Sequence, residues 1–191
     1  MATEYLQRKD SDGVVHYVDK QNEAMSCALS SINMAWQTTR HQCLVNAQEE
    51  KLKLTSAAFD GSLLASQTAG DNNGLGNGTT ATNMTATLNK VGFKVTLLDS
   101  FYPQNSVKFA WQKQRIRDGF PAIVLVGWYA KSATGETRNG GHFVVAPRVT
   151  TKGWVVILDP GSGTLHELHG ANGFYFNHGL RGRIDMIWYS G

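Results

Sequence analysis

The sequence predicts an α+β fold, and three observations carry that expectation. Helical periodicity is confined to the first half of the chain. Runs of β-branched and aromatic residues dominate the second half. The two halves are not interleaved as the β-α-β units of a parallel sheet would be. At 191 residues the chain can bury one sizeable core or two small lobes that share an interface. The expected organisation is a single domain, with a helical lobe over about 20–118 and an antiparallel β lobe over about 120–191.

The elements follow from local pattern. The first twenty residues are polar except for Val14 to Val18, an edge strand or arm. Ser26 to Gln37 reads as a helix, because Met25, Leu29, Ile32 and Trp36 repeat at helical spacing and make one apolar stripe. A second helical stretch falls within Thr38 to Lys51, and Ser56 to Ala69 is a further candidate weakened by Gly61. GDNNGLGNG, from Gly70 to Gly78, reads as a surface loop. It lacks the preceding strand and closing Lys-Ser or Lys-Thr of a phosphate loop, and Thr82 stands where a calcium loop needs its bidentate Glu.

Thr79 or Thr80 can cap a helix running to Lys90 and stopped by Gly92, after which FKVTLL is a strand. Asn105 or Ser106 opens a helix expected to reach Asp118, ended by Gly119 and Pro121. AIVLVGWYA is a buried strand. HFVVAPRV and WVVILDP form a hairpin around Thr151 to Gly153, and RIDMIWYS is the last strand.

Composition excludes several classes. The chain is 41% hydrophobic and 17% charged, so it is globular rather than disordered. The net charge of +3 is spread along the chain. Lys51 with Lys53, and Lys113 with Arg115 and Arg117, are too sparse for a nucleic-acid patch. No apolar run approaches the length of a bilayer span. The first residues, MATEYLQRKDSDG, have no signal-peptide character, so the expected location is cytoplasmic or outside the cell by a route other than Sec. Cys27 and Cys43 are the only cysteines, sixteen residues apart across a helix and its exit, and two free thiols are expected.

A free thiol at a helix start suits nucleophilic chemistry, since the thiolate is the reactive form and the helix N-terminus favours negative charge. Acyl transfer by Cys27 then requires a base and donors for the oxyanion. Of the six histidines, His142 is the best placed. It follows Gly140-Gly141, opens an apolar strand, and has small neighbours that leave room for a substrate. Asp159 ends the next strand and falls at the same end of the hairpin, where it can fix the tautomer and tilt of an imidazole. The Gln21 side chain, six residues before Cys27, and the Cys27 N–H are the candidate oxyanion donors.

The spacing Gln21…Cys27, the order Cys, His, Asp, and the segment GGHFVV…WVVILDPGSG resemble papain-like cysteine peptidases. The likeness is to the bacteriocin-processing peptidases and the bacterial effector proteases similar to them. GTTATNMTATLNKVGFKV and GFPAIVLV extend the resemblance over roughly Gln21 to Gly163. It implies a papain-like fold with the site between a helical lobe bearing Cys27 and a β lobe bearing His142 and Asp159. It implies peptide-bond cleavage through a Cys-His-Asp triad with Gln21, without metal or organic cofactor, in an effector or toxin-like protease. The partners expected are a protein or peptide substrate and a cognate inhibitor or immunity protein, with no nucleic acid and no membrane span. The sequence departs from the family at Ala28, where papain has Trp, and at Ser26 and Ala28, where the bacteriocin-processing branch has Asp and Gly.

The same triad also serves a glutamine deamidase, an acyltransferase or a peptidoglycan amidase, and an inactive papain-like binding module is a further reading. Cys43, His16, His41 and His178 have no company that marks a site. His166 and His169 in TLHELH read as a strand edge or a weak metal pair, since two His and one Glu are not a zinc signature. Trp128, Trp154 and Trp188 read as packing of the β lobe, with one of them able to shield a His–Asp contact from water.

Overall fold

A computed structural model describes residues 5–21, 27–40, 81–90, 92–100, 113–133, 135–169 and 181–190. Its architecture is α+β. Strands β1 (Tyr5–Lys9) and β2 (Val15–Asp19) form an antiparallel hairpin. The Asp10 carboxylate shapes the turn between them by accepting the Asp12 and Val14 N–H groups at 3.0 and 2.9 Å. The apolar piece in the N-terminal region is thus β2. Its partner YLQRK has no alternating pattern to mark it as a strand.

Helix α1 covers Cys27–Arg40 and α2 covers Ala81–Lys90. Leu29 and Ile32 of the expected stripe are buried, and Trp36 packs edge-on against Phe93 at 5.8 Å. Met25 lies outside the described residues. No new helix begins at Thr38. Thr38 to Arg40 are the last turn of α1, where the Thr38 and Thr39 hydroxyls donate back to the Met34 and Ala35 carbonyls. Residues 41–80, which hold Cys43, the Ser56–Ala69 helix candidate and the glycine-rich loop, lie outside the described residues. Helix α2 ends as Gly92 predicts: Gly92 has φ +88°, and the Gly92 and Phe93 N–H groups donate to the Asn89 and Leu88 carbonyls.

The helix expected to reach Asp118 is corrected at its end. The chain makes a short 3-10 turn at Lys113–Arg115 and then a tight turn in which Arg117 bridges to Phe120, with Gly119 at φ +78°. The part of that helix over residues 101–112 lies outside the described residues.

The remaining strands are β3 (Val95–Ser100), β4 (Ala122–Ser132), β5 (Gly135–Ala146), β6 (Val155–Asp159), β7 (Thr164–Leu168) and β8 (Arg181–Ser190). They make one sheet in the order β3-β8-β4-β5-β6-β7, with every neighbouring pair antiparallel. Alternation along the strands gives the sheet two apolar faces. On one, Ile123, Phe143, Val145, Val156, Leu158 and Trp188 meet Leu29, Ile32, Met84 and Leu88 of the helices. On the other, Val124, Val126, Val144, Ile157, Ile187 and Tyr189 pack together. Each such side chain contributes about 1.5–3 kcal/mol on burial, and this core fixes where the sheet presents its ends. Among the described residues, no helix is long and apolar enough to cross a membrane.

The β1–β2 hairpin is fastened to the sheet by an ion cluster. Arg148 reaches Asp10 at 2.5 Å, Asp12 at 3.1 Å and Asp118 at 3.1 Å, while His16 Nε2 lies 3.0 Å from Asp10. His16, without distinguishing company in the sequence, is therefore part of a buried structural network.

Candidate active site

The site is built at the end of the β5–β6 pair. Val145 lies opposite Leu158, so His142 and Asp159 are diagonal neighbours at the open end of these strands. His142 Nε2 is 2.6 Å from Asp159 Oδ1, with both residues buried. An ionised carboxylate only accepts, so Nε2 carries a hydrogen and donates it to Asp159. That leaves Nδ1 as the ring nitrogen for a thiol. Cys27, the first residue of α1, is a free, partly exposed thiol that lies close enough to His142 to act on its titration. The structure thus brings Cys27, His142 and Asp159 together from α1, β5 and β6.

The electrostatics follow from these contacts. Burial alone would push the His142 pKa down. The hydrogen bonds to Asp159 and Cys27, with the charges of both groups, outweigh burial and raise it from 6.5 to about 9. Burial would likewise raise the Asp159 pKa. The hydrogen bond and charge of His142, the Ser162 hydroxyl and the Gly161 N–H instead hold it at about 2. The pair is therefore imidazolium and carboxylate at neutral pH.

A four-residue turn, Pro160 to Gly163, supplies the other donors to Asp159. The Gly161 N–H donates to Oδ1 at 2.8 Å and the Ser162 hydroxyl to Oδ2 at 2.6 Å. The sequence DPGSG signals a turn, but not that two of its residues would bind the preceding carboxylate. Gly163 closes the turn at φ +69°, and a Cβ there would come within 2.7 Å of Leu6 Cδ1. Its carbonyl accepts Arg8 Nε–H at 3.0 Å, so the β1–β2 hairpin straps the turn.

Gln21 lies just past the end of β2, and its backbone N–H donates to the Pro160 carbonyl at 3.0 Å. Asp19, two residues earlier, accepts from Asn33 of α1 at 2.9 Å. These two bonds bring the chain bearing Gln21 to both α1 and the Asp159 turn.

Trp128 lies alongside His142, with ring centroids 6.0 Å apart and planes at 27°. Gly140 makes this possible: it has φ +147°, and a Cβ there would stand 3.3 Å from Trp128 Cε3. Gly140 thus accommodates the Trp128 ring beside His142. Trp188 is fully buried in the core, and Trp154 stacks on His169 at 3.8 Å. His166 faces Thr164 rather than His169, and among the described residues no three His, Cys, Asp or Glu side chains cluster as metal ligands would.

No family model and no curated protein sequence matches this chain.

Proposed function

We propose that the protein is a papain-like cysteine peptidase acting through Cys27, His142, Asp159 and Gln21. The observation that carries this reading is the burial of His142 between Asp159, 2.6 Å from Nε2, and the Cys27 thiol at the start of α1. That arrangement supports transfer of the thiol proton to His142, which gives the thiolate–imidazolium pair from which a cysteine acyl-transfer enzyme acts.

In the reaction the Cys27 thiolate attacks the scissile carbonyl, forming the C–S bond and an oxyanion. The Cys27 N–H and the Gln21 amide donate to that oxyanion. His142 gives its Nδ1 proton to the leaving amine as the C–N bond breaks. A water then attacks the thioester, passing its proton to His142 and releasing an acid and the Cys27 thiolate. Asp159 holds the ring in the orientation that all these steps need. The resemblance in Gln21…Cys27 and GGHFVV…WVVILDPGSG favours peptide hydrolysis over other acyl transfers, and an effector or toxin-like setting.

The test is incubation of wild type and Cys27→Ala with casein, a glutamine-bearing protein and purified peptidoglycan. New peptide N-termini from casein, absent with Cys27→Ala, are expected. Ammonia release from glutamine, or new ends in peptidoglycan alone, would redirect the proposal to a deamidase or an amidase. If none appears and iodoacetamide labels Cys27 no faster than Cys43, the chain is a papain-like binding module.

A further inference from the structure

Behind Asp159, on the side away from His142, a chain of hydrogen bonds runs to the surface. The Ser162 hydroxyl donates to Asp159 Oδ2 at 2.6 Å, Ser162 Oγ and Thr164 Oγ1 are 2.5 Å apart, and Thr164 Oγ1 and His166 Nε2 are 2.8 Å apart. Strand alternation explains the alignment: Thr164 and His166 stand two apart on β7 and project to the same side, continuing the line begun by Ser162 in the turn. The His166 side chain is 51% exposed, so the chain ends in solvent.

The direction of every bond is fixed by counting hydrogens. Asp159 is ionised and only accepts. Ser162 has one hydroxyl hydrogen, and it goes to Asp159. Ser162 must then accept from Thr164, whose single hydrogen is thereby used. Thr164 must in turn accept from His166, which therefore carries its hydrogen on Nε2. All three donors point toward Asp159, and aligned donors strengthen one another. A serine at the end of a loop would otherwise be free to turn to water.

We propose that Ser162, Thr164 and His166 are positioning residues for the candidate active site, an ordered donor chain that holds the Asp159 carboxylate in the plane that orients His142. The inference rests on the proposed role of His142 and Asp159. The titratable groups acting on His142 are Cys27 of α1 and Asp159 of β6. Asp159 faces His142 and, at 4.0 Å from Oδ2, His166. At that distance His166 acts on Asp159 through the two hydroxyls rather than directly.

The test reads Cys27 alkylation by iodoacetamide at pH 7, which needs no substrate, in Asp159→Ala, Ser162→Ala, Thr164→Val, His166→Ala and His166→Gln. The altered side chains of the relay lie at or near the surface, so the variants fold. Alkylation should fall most in Asp159→Ala. It should fall about 3- to 10-fold in Ser162→Ala and about 2- to 3-fold in Thr164→Val and His166→Ala, as expected when one hydrogen bond is lost. His166→Gln presents an amide N–H near the place of Nε2–H and should restore the wild-type rate, which a packing role would not. If Asp159→Ala slows alkylation but the relay variants do not, or Gln fails to rescue, the relay is overturned and the site reading stands. If Asp159→Ala is itself without effect, both are overturned.

Discussion

Among the described residues, two buried His–Asp pairs have similar geometry and opposite character. His16 meets Asp10 at 3.0 Å, and His142 meets Asp159 at 2.6 Å. Asp10 also carries a permanent cation: Arg148 lies at 2.5 Å, and its other guanidinium nitrogens are tied to Asp12 and Asp118. Against burial, which would raise it, His16, Arg148 and the Val14 N–H keep the Asp10 pKa below its ordinary range. Among the described residues, the hydrogen-bond partners of the Asp159 carboxylate are His142 and neutral donors, the Gly161 N–H and the Ser162 hydroxyl. Its charge is thus balanced by the imidazolium, whose far side meets a thiol. A His–Asp contact is structural where an arginine completes the ion balance, and is poised for proton transfer where the histidine must supply the charge and has a second, reactive neighbour.

The largest test of this difference is reciprocal substitution. His142→Ala should lower turnover per folded molecule about 10⁴-fold or more, as expected for loss of one member of the proposed triad, and should also lower the urea midpoint because it leaves the buried Asp159 without its imidazolium partner. Asp10→Ala should lower stability and spare turnover. It removes the acceptor of two turn N–H groups and one partner of a buried ion pair, costing about 2–4 kcal/mol in urea unfolding, with turnover per folded molecule near wild type. Equal loss of turnover in both variants would break the distinction.

The pH responses separate the pairs next. The His142 pKa is raised from 6.5 to about 9, so its pairing stabilises the fold fully below 6.5 and is lost as pH rises through about 9. The Asp159 pKa is lowered from 3.8 to about 2, so its contribution is complete above 3.8 and is lost as pH falls through about 2. Turnover should therefore hold through neutral pH and fall above about 9. Because Cys27 is one cause of the raised value, Cys27→Ala should move the His142 titration, followed by NMR, from about 9 toward 6.5. A titration that stays near 9 in Cys27→Ala would show that the thiol does not couple to the ring.

The sequence made one of these pairs legible and hid the other, for a physical reason. His142 and Asp159 stand at corresponding ends of adjacent apolar strands, and the continuous apolar runs HFVVA and WVVILD with the Thr151–Gly153 turn signal between them reveal both strands. The Asp10–His16–Arg148 cluster joins residues as far as 138 apart, and no local pattern encodes such a contact. The long β4–β5 pairing was hidden likewise, because ETRNGG in its distal half is polar and glycine-rich. The helix expected up to Asp118 failed where Gly119 imposes a tight turn on residues that favour a helix by themselves. The placement of the segment bearing Gln21 depends on the Gln21–Pro160 backbone bond and the Asp19–Asn33 bond, which no local pattern announces.

The smallest test contrasts two glycine turns. Gly161 lies under the candidate site, and a Cβ there would sit 3.1 Å from His142 Cε1, 3.2 Å from Nε2 and 3.3 Å from Asp159 Oδ1. Those distances are too close to accept unmoved, yet short of a clash that forbids folding. Gly161→Ala should therefore displace the imidazole by a few tenths of an ångström, and turnover should fall about 3- to 10-fold through misalignment of the His142–Asp159 hydrogen bond, with little loss of stability. Gly153, in the Thr150–Trp154 turn, has φ +78° and open space around its missing Cβ. Gly153→Ala should cost about 1 kcal/mol of stability from the strained backbone and leave turnover unchanged. Parallel urea melts and kinetics on the two variants would distinguish a glycine kept for the conformation of its turn from one kept for the room it leaves a histidine.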